Sequence, residues 1–369
     1  MSNSLSLLFP SESCEDALRS WIEIRIRRQV PLQGGVSGAS VYYVDAEIRF
    51  PGLQGAVQSK PLQCVIKYSA EEGFDAERKK FEALPESLRK WFVDFATQRI
   101  LVGGDFFMIM PYLHDYKTLA HIVYHNKKDP IEQCINKVCQ GLKEIHFYGD
   151  DKKTLSRNKS SDIGKLFSLY LGSIQESCEK IEHIAEILPE IGSDKFIVNG
   201  EEYYSRQFYF EKLSKKLNEI SPSFCTLAHG DCHSRNLLLR PKDIDLKIID
   251  INKFMNQGDY IYDYGTLIAD IETYNCVLQA RRPSFRLKRT RRGLSYVLPR
   301  NANAKMAAEL IKENVRKLAR EKDDGRWEPR LELAKARYLL SMVSKTIDRE
   351  RAFLVYCEGL KSLARLIKP

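Results

Sequence analysis

Three side chains in the second half of the chain have types and a spacing suited to chemistry on phosphates. Asp231 and Asn236 lie five positions apart in "LAHGDCHSRNLLL" (227–239), and Asp250 ends the apolar run "LKIID" (246–250). Phosphoryl transfer needs a carboxylate that orients or accepts the proton of a hydroxyl. It also needs oxygen ligands for a Mg²⁺ ion that bridges the nucleotide phosphates. Together the three residues therefore indicate phosphoryl transfer.

A glycine-rich segment in the first half is suited to binding phosphates. The stretch "GGVSGASVY" (34–42) contains Gly35, Ser37 and Gly38 and precedes a β-branched and aromatic run. Glycine lets the backbone N–H groups approach a phosphate closely. We expect a loop followed by a strand here, with the loop folding over the phosphates of a nucleotide.

A lysine, a glutamate and an apolar hinge follow in the order that a nucleotide site would use. Lys67 lies in the apolar strand-like run "CVIKYS", from which it would reach the α- and β-phosphates, although an ordinary strand lysine is the alternative. Glu77 on the next predicted helix would pair with Lys67. Glu82 on the same helix is a second candidate. In "FFMIMPYL" (106–113) the backbone around Met110 would meet an adenine edge.

The motifs resemble those of the aminoglycoside phosphotransferase/choline kinase superfamily. "HGDCHSRN", "IID" and "GDYIYDYG" are similar to that family's HGDxHxxN, IDxx and GDPxxDLA, and the likeness covers roughly residues 30–275. The resemblance implies a bilobal, protein-kinase-like fold, ATP or GTP as phosphate donor, Mg²⁺ as cofactor, and transfer to a hydroxyl group.

Matched by position, the resemblance makes Asp231 the catalytic base, and it makes Asn236 and Asp250 the Mg²⁺ ligands. It makes Lys67 with Glu77 the pair that anchors the phosphates. Four further residues of the motifs are expected to support the site without reacting: His229, His233, Asp259 and Asp263. The loop departs from the family's HPG at "HSR", which introduces Arg235 as a possible phosphate contact.

The hydrophobic pattern predicts an α+β protein with two parts. Residues 1–115 are expected to form a nucleotide-binding lobe, a small antiparallel sheet with one helix. Residues 116–369 would form a larger, mainly helical lobe that is catalytic and binds the acceptor. Helical spacing is predicted over five segments and in two or three helices within 303–369; the five segments are 15–30, 75–92, 129–149, 163–189 and 201–220.

The composition and the net charge indicate which cellular compartment and which classes of binding partner to expect. The net charge is +9, and the segment 281–300 carries eight Arg or Lys and no acid. Two interpretations of this segment stay open: a solvated basic loop, or a surface that binds an anionic partner or a membrane. Sequence-specific nucleic-acid binding is not expected, because no matching motif accompanies the charge. Scattered cysteines without paired spacing, and the lack of an apolar run long enough for a transmembrane segment, indicate a cytoplasmic protein.

The sequence therefore predicts an ATP- and Mg²⁺-dependent phosphotransferase acting on a hydroxyl of a small molecule or glycan. Two alternatives stay open, a protein kinase of the same fold and a non-catalytic nucleotide-binding regulator. The identity of the acceptor is not encoded in any motif.

Overall fold

The computed structural model describes two compact units, Met1–Asp115 and Tyr116–Pro369. None of the described helices combines the length and the apolar composition that a bilayer span requires. The described residues are 4–7, 22–32, 40–51, 57–69, 75–94, 100–102, 105–126, 128–149, 195–280, 287–291, 293–346 and 348–367.

The first unit is built on a six-stranded antiparallel sheet with the order β1-β2-β3-β4-β6-β5. Alternate side chains of a strand point to the same face, so Val44 and Ala46 of β3 and Cys64 of β4 form one buried cluster. The strands are β1 (Ser4–Leu7), β2 (Ile22–Pro31), β3 (Ser40–Pro51), β4 (Val57–Ser69), β5 (Ile100–Val102) and β6 (Asp105–Pro111).

The helix predicted over 15–30 is wrong where the structure describes that segment. Ile22–Pro31 is a strand that pairs with β1 and β3. Its sequence "IEIRIRRQVP" places isoleucines two residues apart with charged residues between them, and a period of two is typical of a strand. Residues 15–21 lie outside the described residues.

The helix predicted over 75–92 is divided in two. Helix α1 (Asp75–Glu82) ends before Pro85, which precedes the single turn α2 (Glu86–Arg89). Proline disfavours a helical conformation in the residue before it, so the chain cannot continue as one helix. On α1, Glu77 and Phe81 lie four positions apart and are both buried.

The second unit is mainly helical. Of the helix predicted over 201–220, the first four residues form a strand instead, because Asn199 and Gly200 turn the chain with positive φ and the strand Glu201–Tyr204 pairs with the strand Lys195–Val198. The helix predicted over 163–189 lies outside the described residues. Three helices fill the C-terminal segment. The helices are α3 (Leu119–His125), α4 (Lys128–His146), α5 (Arg206–Ile220), α6 (Tyr260–Ala269), α7 (Asn275–Gln279), α8 (Ala302–Glu321), α9 (Trp327–Val343) and α10 (Arg349–Ile367).

In the part of the second unit that the structure describes, short strands form three small sheets with the orders β10-β13, β12-β11-β7 and β14-β15-β8-β9. A π-helix, Asp270–Tyr274, joins α6 to α7. The strands are β7 (Lys117–Thr118), β8 (Lys195–Val198), β9 (Glu201–Tyr204), β10 (Thr226–Ala228), β11 (Leu237–Arg240), β12 (Asp245–Ile248), β13 (Met255–Gly258), β14 (Lys288–Thr290) and β15 (Gly293–Ser295).

A hydrophobic core of the second unit draws most of its buried side chains from α9 and α10, and others from α5, α6, α7 and the strands β8, β9 and β15. The predicted α+β fold is confirmed, with a small antiparallel sheet in the first part of the chain and a larger helical second part. The roles assigned to the two parts stay predictions.

Candidate active site

A hairpin brings Asn236 and Asp250 to the same place. Strands β11 and β12 are antiparallel neighbours, and the N–H of Ile249, after β12, donates to the carbonyl of Asn236, before β11, at 3.0 Å. Asp250 therefore follows at the end of the hairpin where Asn236 begins it. The Asn236 amide nitrogen donates to the Asp231 carbonyl at 3.0 Å, which leaves the amide oxygen as the atom suited to a metal ion.

Asp231 is held in its ionised form by a lysine. Lys253 Nζ lies 2.8 Å from Asp231 Oδ2, and the Asp231 side chain is 23% exposed. Burial alone would raise the pKa of Asp231, but the charge of Lys253 and its hydrogen bond outweigh burial and lower the pKa. Asp231 is therefore a carboxylate at neutral pH and can accept a proton.

A buried aspartate fixes the start of the loop 229–236. Asp263 on α6 accepts the backbone N–H of His229 at 2.7 Å and that of Gly230 at 2.8 Å. His146 Nε2 lies 2.9 Å from the same carboxylate, and both side chains are fully buried. Because backbone N–H bonds to a carboxylate are charge-assisted, Asp263 holds the residues before Asp231 in position.

The loop 229–236 packs tightly against the segment 249–253. Gly230 has a φ of +81°, and a Cβ there would lie 2.1 Å from the Lys253 carbonyl oxygen. His229 Nε2 lies 3.1 Å from the Ile249 carbonyl. A carbonyl only accepts, so this nitrogen carries the proton, and Nδ1 accepts the Asp231 N–H at 3.3 Å. The two segments are thus locked in one register.

The middle of the loop is anchored to the π-helix. Asp270 is fully buried, and its Oδ2 accepts the backbone N–H of Ser234 at 2.8 Å together with the Ser234 hydroxyl. The same oxygen accepts from Asn275 at 2.9 Å, while Oδ1 accepts the Tyr338 hydroxyl at 2.5 Å. The four donors are the backbone N–H and the hydroxyl of Ser234, the Asn275 amide and the Tyr338 hydroxyl. All are neutral, so the negative charge of Asp270 is stabilised by hydrogen bonds in a rigid network.

Two other polar side chains of the loop are shielded from water. Burial lowers the pKa of His233, whose Nδ1 has no hydrogen-bond partner among the described residues. Burial raises the pKa of the Cys232 thiol well above its ordinary value. His233 is neutral at neutral pH, and Cys232 is a thiol, so neither is a reactive nucleophile.

Asp259, the first acid of "GDYIYDYG", supports α6. It caps the helix by accepting the Ile261 N–H at 3.1 Å and forms an ion pair with the buried Arg330 at 2.8 Å. Arg330 also pairs with Asp324 at 2.6 Å. Burial alone would raise the pKa of Asp324, but its hydrogen bond to Arg330 lowers it, so the buried charges compensate one another.

In the first unit, Lys67 and Glu77 are in contact. Lys67 Nζ lies 2.7 Å from Glu77 Oε2, and the two side chains are 9% and 2% exposed. Glu82, the other candidate partner, is exposed at the end of α1. Met110 is half-buried on β6, opposite Val65 of β4.

Gly35, Ser37 and Gly38, the predicted phosphate loop, lie outside the described residues. The remaining predicted residues fall into two sets. Lys67, Glu77 and Met110 belong to the first unit, and Asp231, Asn236 and Asp250 to the second.

Three residues of the site were not identified from the sequence: Lys253, Asp270 and His146. Lys253 lies three positions after Asp250, and a cation so close to a predicted metal ligand is the signal that could have identified it. Asp270 and His146 contact the loop only through the tertiary fold, so sequence spacing carries no sign of either.

The donor set suits Mg²⁺ bound with a nucleotide. Among the described residues, no three His, Cys, Asp or Glu side chains are grouped closely enough to hold a metal ion by themselves. Mg²⁺ typically takes one or two protein oxygens and completes its shell with phosphates and water. Asn236 and Asp250 supply such oxygens.

A cavity of about 1320 Å³ lies elsewhere in the second unit. Its walls come from α8, α9, α10 and the segment 296–301, and they include Glu272 and Thr273 of the π-helix. Asp231, Asn236 and Asp250 do not line it, so the cavity is separate from the candidate site.

The structure resembles solved phosphotransferases. It matches a thermostable mutant of aminoglycoside phosphotransferase APH(4)-Ia in a ternary complex with ADP and hygromycin B over 93% of this chain and 94% of the other, with a TM-score of 0.49 and 12% identity. It matches APH(2")-IIa in a streptomycin–ATP ternary complex over 93% and 94%, with a TM-score of 0.45 and 15% identity. It matches Plasmodium vivax ethanolamine kinase over 94% and 83%, with a TM-score of 0.43 and 14% identity. No protein-family model and no curated protein matches the chain.

Proposed function

We propose that this protein is a phosphotransferase that moves the γ-phosphoryl group of ATP, or of GTP, to a hydroxyl of a small molecule or glycan. One observation carries the proposal. An ionised Asp231, paired with Lys253 at 2.8 Å, lies on a rigid loop that ends at Asn236, beside Asp250 at the end of the β11–β12 hairpin.

In this proposal, Asp231 acts on the acceptor hydroxyl. The hydroxyl oxygen forms a bond to the γ-phosphorus while the bond from that phosphorus to the β,γ-bridging oxygen breaks, which releases the nucleoside diphosphate. Asp231 accepts the hydroxyl proton as the new bond forms. Because Lys253 keeps the pKa of Asp231 low, the carboxylate acts mainly by orienting the hydroxyl, and it takes up the proton late.

Asn236 and Asp250 would hold Mg²⁺. When bound, the ion neutralises the charge of the nucleotide phosphates and fixes their position. The protein's contribution is the hairpin, which keeps the two side chains at one end of β11 and β12 by backbone hydrogen bonds.

Lys67 would bind the nucleotide phosphates, with Glu77 fixing the direction of its side chain. Both charges are almost fully buried. The cost of removing two charges from water is offset only when they are in close, well-oriented contact. Gly35, Ser37 and Gly38 remain the proposed phosphate loop, and the backbone at Met110 remains the proposed adenine contact.

The charge distribution favours a neutral or anionic acceptor over a polycation. The chain carries a net charge of +9, and Lys288, Arg289 and Arg291 of the segment 281–300 are exposed on the β14–β15 hairpin. A positive field raises the local concentration of anions. We extend the proposal to an anionic partner or membrane surface at this segment.

The described cysteines are free, which fits the reducing cytoplasm.

A labelled metabolite screen tests the proposal. Extracted small-molecule pools are incubated with the protein, Mg²⁺ and ATP labelled in the γ-phosphate, and each labelled product is identified by mass spectrometry. We expect a labelled small molecule or glycan that the Asp231→Asn variant does not produce. Label in proteins of a lysate would favour a protein kinase. Nucleotide binding without any transfer would favour a regulator.

A further inference from the structure

Arg235, in the middle of the candidate catalytic loop, has no anionic partner within the described part of the chain. Its Nε–H is buried and has no hydrogen-bond acceptor, and the side chain as a whole is half-buried. A guanidinium is permanently charged and carries five N–H donors in a fixed plane. Buried donors in native proteins nearly always have a partner, so this group calls for a physical explanation.

The carboxylates that contact the same loop are engaged by other groups. Both oxygens of Asp270 accept hydrogen bonds, from Ser234, Asn275 and Tyr338. Asp231 is paired with Lys253. Among the described residues, no carboxylate forms an ion pair with Arg235, and the carboxylates around the loop are engaged by other donors.

An aromatic platform fixes the Arg235 guanidinium. Its central carbon lies 5.7 Å from the centre of the Tyr274 ring, within the range of a cation–π contact. Tyr274 is 4% exposed and packs edge-on against Tyr338, with ring centres 5.9 Å apart. A guanidinium held on a buried ring keeps its orientation, which is what recognition of a two-oxygen anion requires.

We propose that Arg235 binds a carboxylate or phosphate group of the acceptor, so that the substrate is an acidic or already phosphorylated small molecule with a free hydroxyl. This inference rests on the phosphotransferase function proposed above. Arg235 follows Asp231 by four positions, which span at most about 14 Å of extended chain. The His233 N–H donates to the Asp231 carbonyl at 2.8 Å, so the loop turns and the separation is shorter than that limit. An acceptor would bind Arg235 through its anionic group and present a hydroxyl to Asp231.

A charge series of sugars tests the proposal. Glucose, glucosamine, glucuronate and glucose 1-phosphate share most of their ring hydroxyls and differ in charge, and inorganic phosphate is an anion without a ring. Affinity for each is measured by calorimetry with Mg²⁺ and AMP-PNP present, for wild type, Arg235→Met and Arg235→Lys. Arg240→Met is the matched control, because Arg240 lies on the adjacent strand and is already paired with Asp243 at 2.7 Å.

We expect wild type to bind the anionic members more tightly than glucose. Arg235→Met should weaken anion binding about 10- to 100-fold, the range for a hydrogen bond to a charged group. Arg235→Lys should recover part of the affinity, because it keeps the charge and loses the planar fork. Arg240→Met should match wild type, and affinity for AMP-PNP should be the same in all four proteins.

Three results would overturn the assignment of Arg235 to the acceptor. The first is an anion preference that survives in Arg235→Met, and the second is the failure of every anion to bind to wild type. The third is a loss of AMP-PNP affinity in Arg235→Met with unchanged sugar binding, which would assign Arg235 to the nucleotide. Failure of the proposed function itself is distinguishable, because wild type would then not bind Mg²⁺ and AMP-PNP at all.

Discussion

Lys253 Nζ lies 2.8 Å from Asp231 Oδ2, although the two residues are 22 positions apart and Lys253 ends a short 3-10 helix, Ile251–Lys253, outside the loop that contains Asp231. The contact joins the segment after Asp250 to the candidate catalytic loop. It also sets the charge state of Asp231, because the ammonium group favours the carboxylate over the protonated acid.

The first prediction is a shift in the pH dependence of phosphate transfer when Lys253 is replaced by Met. Lys253 lowers the pKa of Asp231, so its removal raises that pKa. Activity that requires the carboxylate is then lost at a higher pH as the solution is acidified. The acid limb of the pH–rate profile should move to higher pH in Lys253→Met and stay near the wild-type position in Lys253→Arg. Equal acid limbs in all three proteins would show that the ion pair does not control Asp231.

The second prediction compares two glycines with similar backbones and different surroundings. Gly230 and Gly200 have φ values of +81° and +79°, but only a Cβ at Gly230 meets other atoms, with the Lys253 carbonyl oxygen at 2.1 Å. Gly200→Ala should cost about 1 kcal/mol of unfolding free energy from backbone strain alone. Gly230→Ala should cost on the order of 3 kcal/mol, because the clash adds to the strain. Denaturant unfolding measures both, and equal losses would contradict the tight packing of the two loops.

The sequence motifs suggested the candidate catalytic and metal-binding residues, but they did not point to all the residues that hold those candidates in position. The β11–β12 hairpin returns the chain from Asn236 to Asp250, and hydrogen bonds within the loop 231–236 hold Asp231 near Asn236. Both relationships are local, so the spacing of the three residues along the sequence reflects them. Lys253 and Asp270 act through contacts that only the folded chain creates. The helix predicted over 15–30 is wrong over Ile22–Pro31, because the alternation of isoleucine and charged residues in "IEIRI" has the period of a strand and not that of a helix.

The third prediction concerns the metal ion. Asp250→Ala should abolish the tightening of ATP binding by Mg²⁺, because the remaining Asn236 is a neutral and weaker ligand. Asp243→Ala is the control, since Asp243 lies in the turn of the same hairpin and pairs with Arg240. Calorimetry with and without Mg²⁺ checks both variants. The same Mg²⁺ effect in Asp250→Ala and wild type would remove Asp250 from the metal site.

The fourth prediction concerns the basic segment 281–300. Replacing Arg289, Arg291 and Arg292 with Gln should weaken binding to anionic vesicles or raise the acceptor KM, with little change in ATP affinity. The difference from wild type should shrink with added salt, because the Debye length falls from about 10 Å at 0.1 M to about 3 Å at 1 M. Identical behaviour at every salt concentration would identify the segment as a solvated loop.

The central claim is that Asp231 is the base of a phosphoryl transfer, and turnover of the Asp231→Asn variant tests it most directly. Asparagine keeps the size of the side chain and cannot accept the proton. We predict that ATP affinity stays within a few-fold of wild type while turnover falls by about 10²–10⁴, the usual effect of losing a proton-transfer group. Turnover near the wild-type rate in a folded, ATP-binding Asp231→Asn protein would contradict the account.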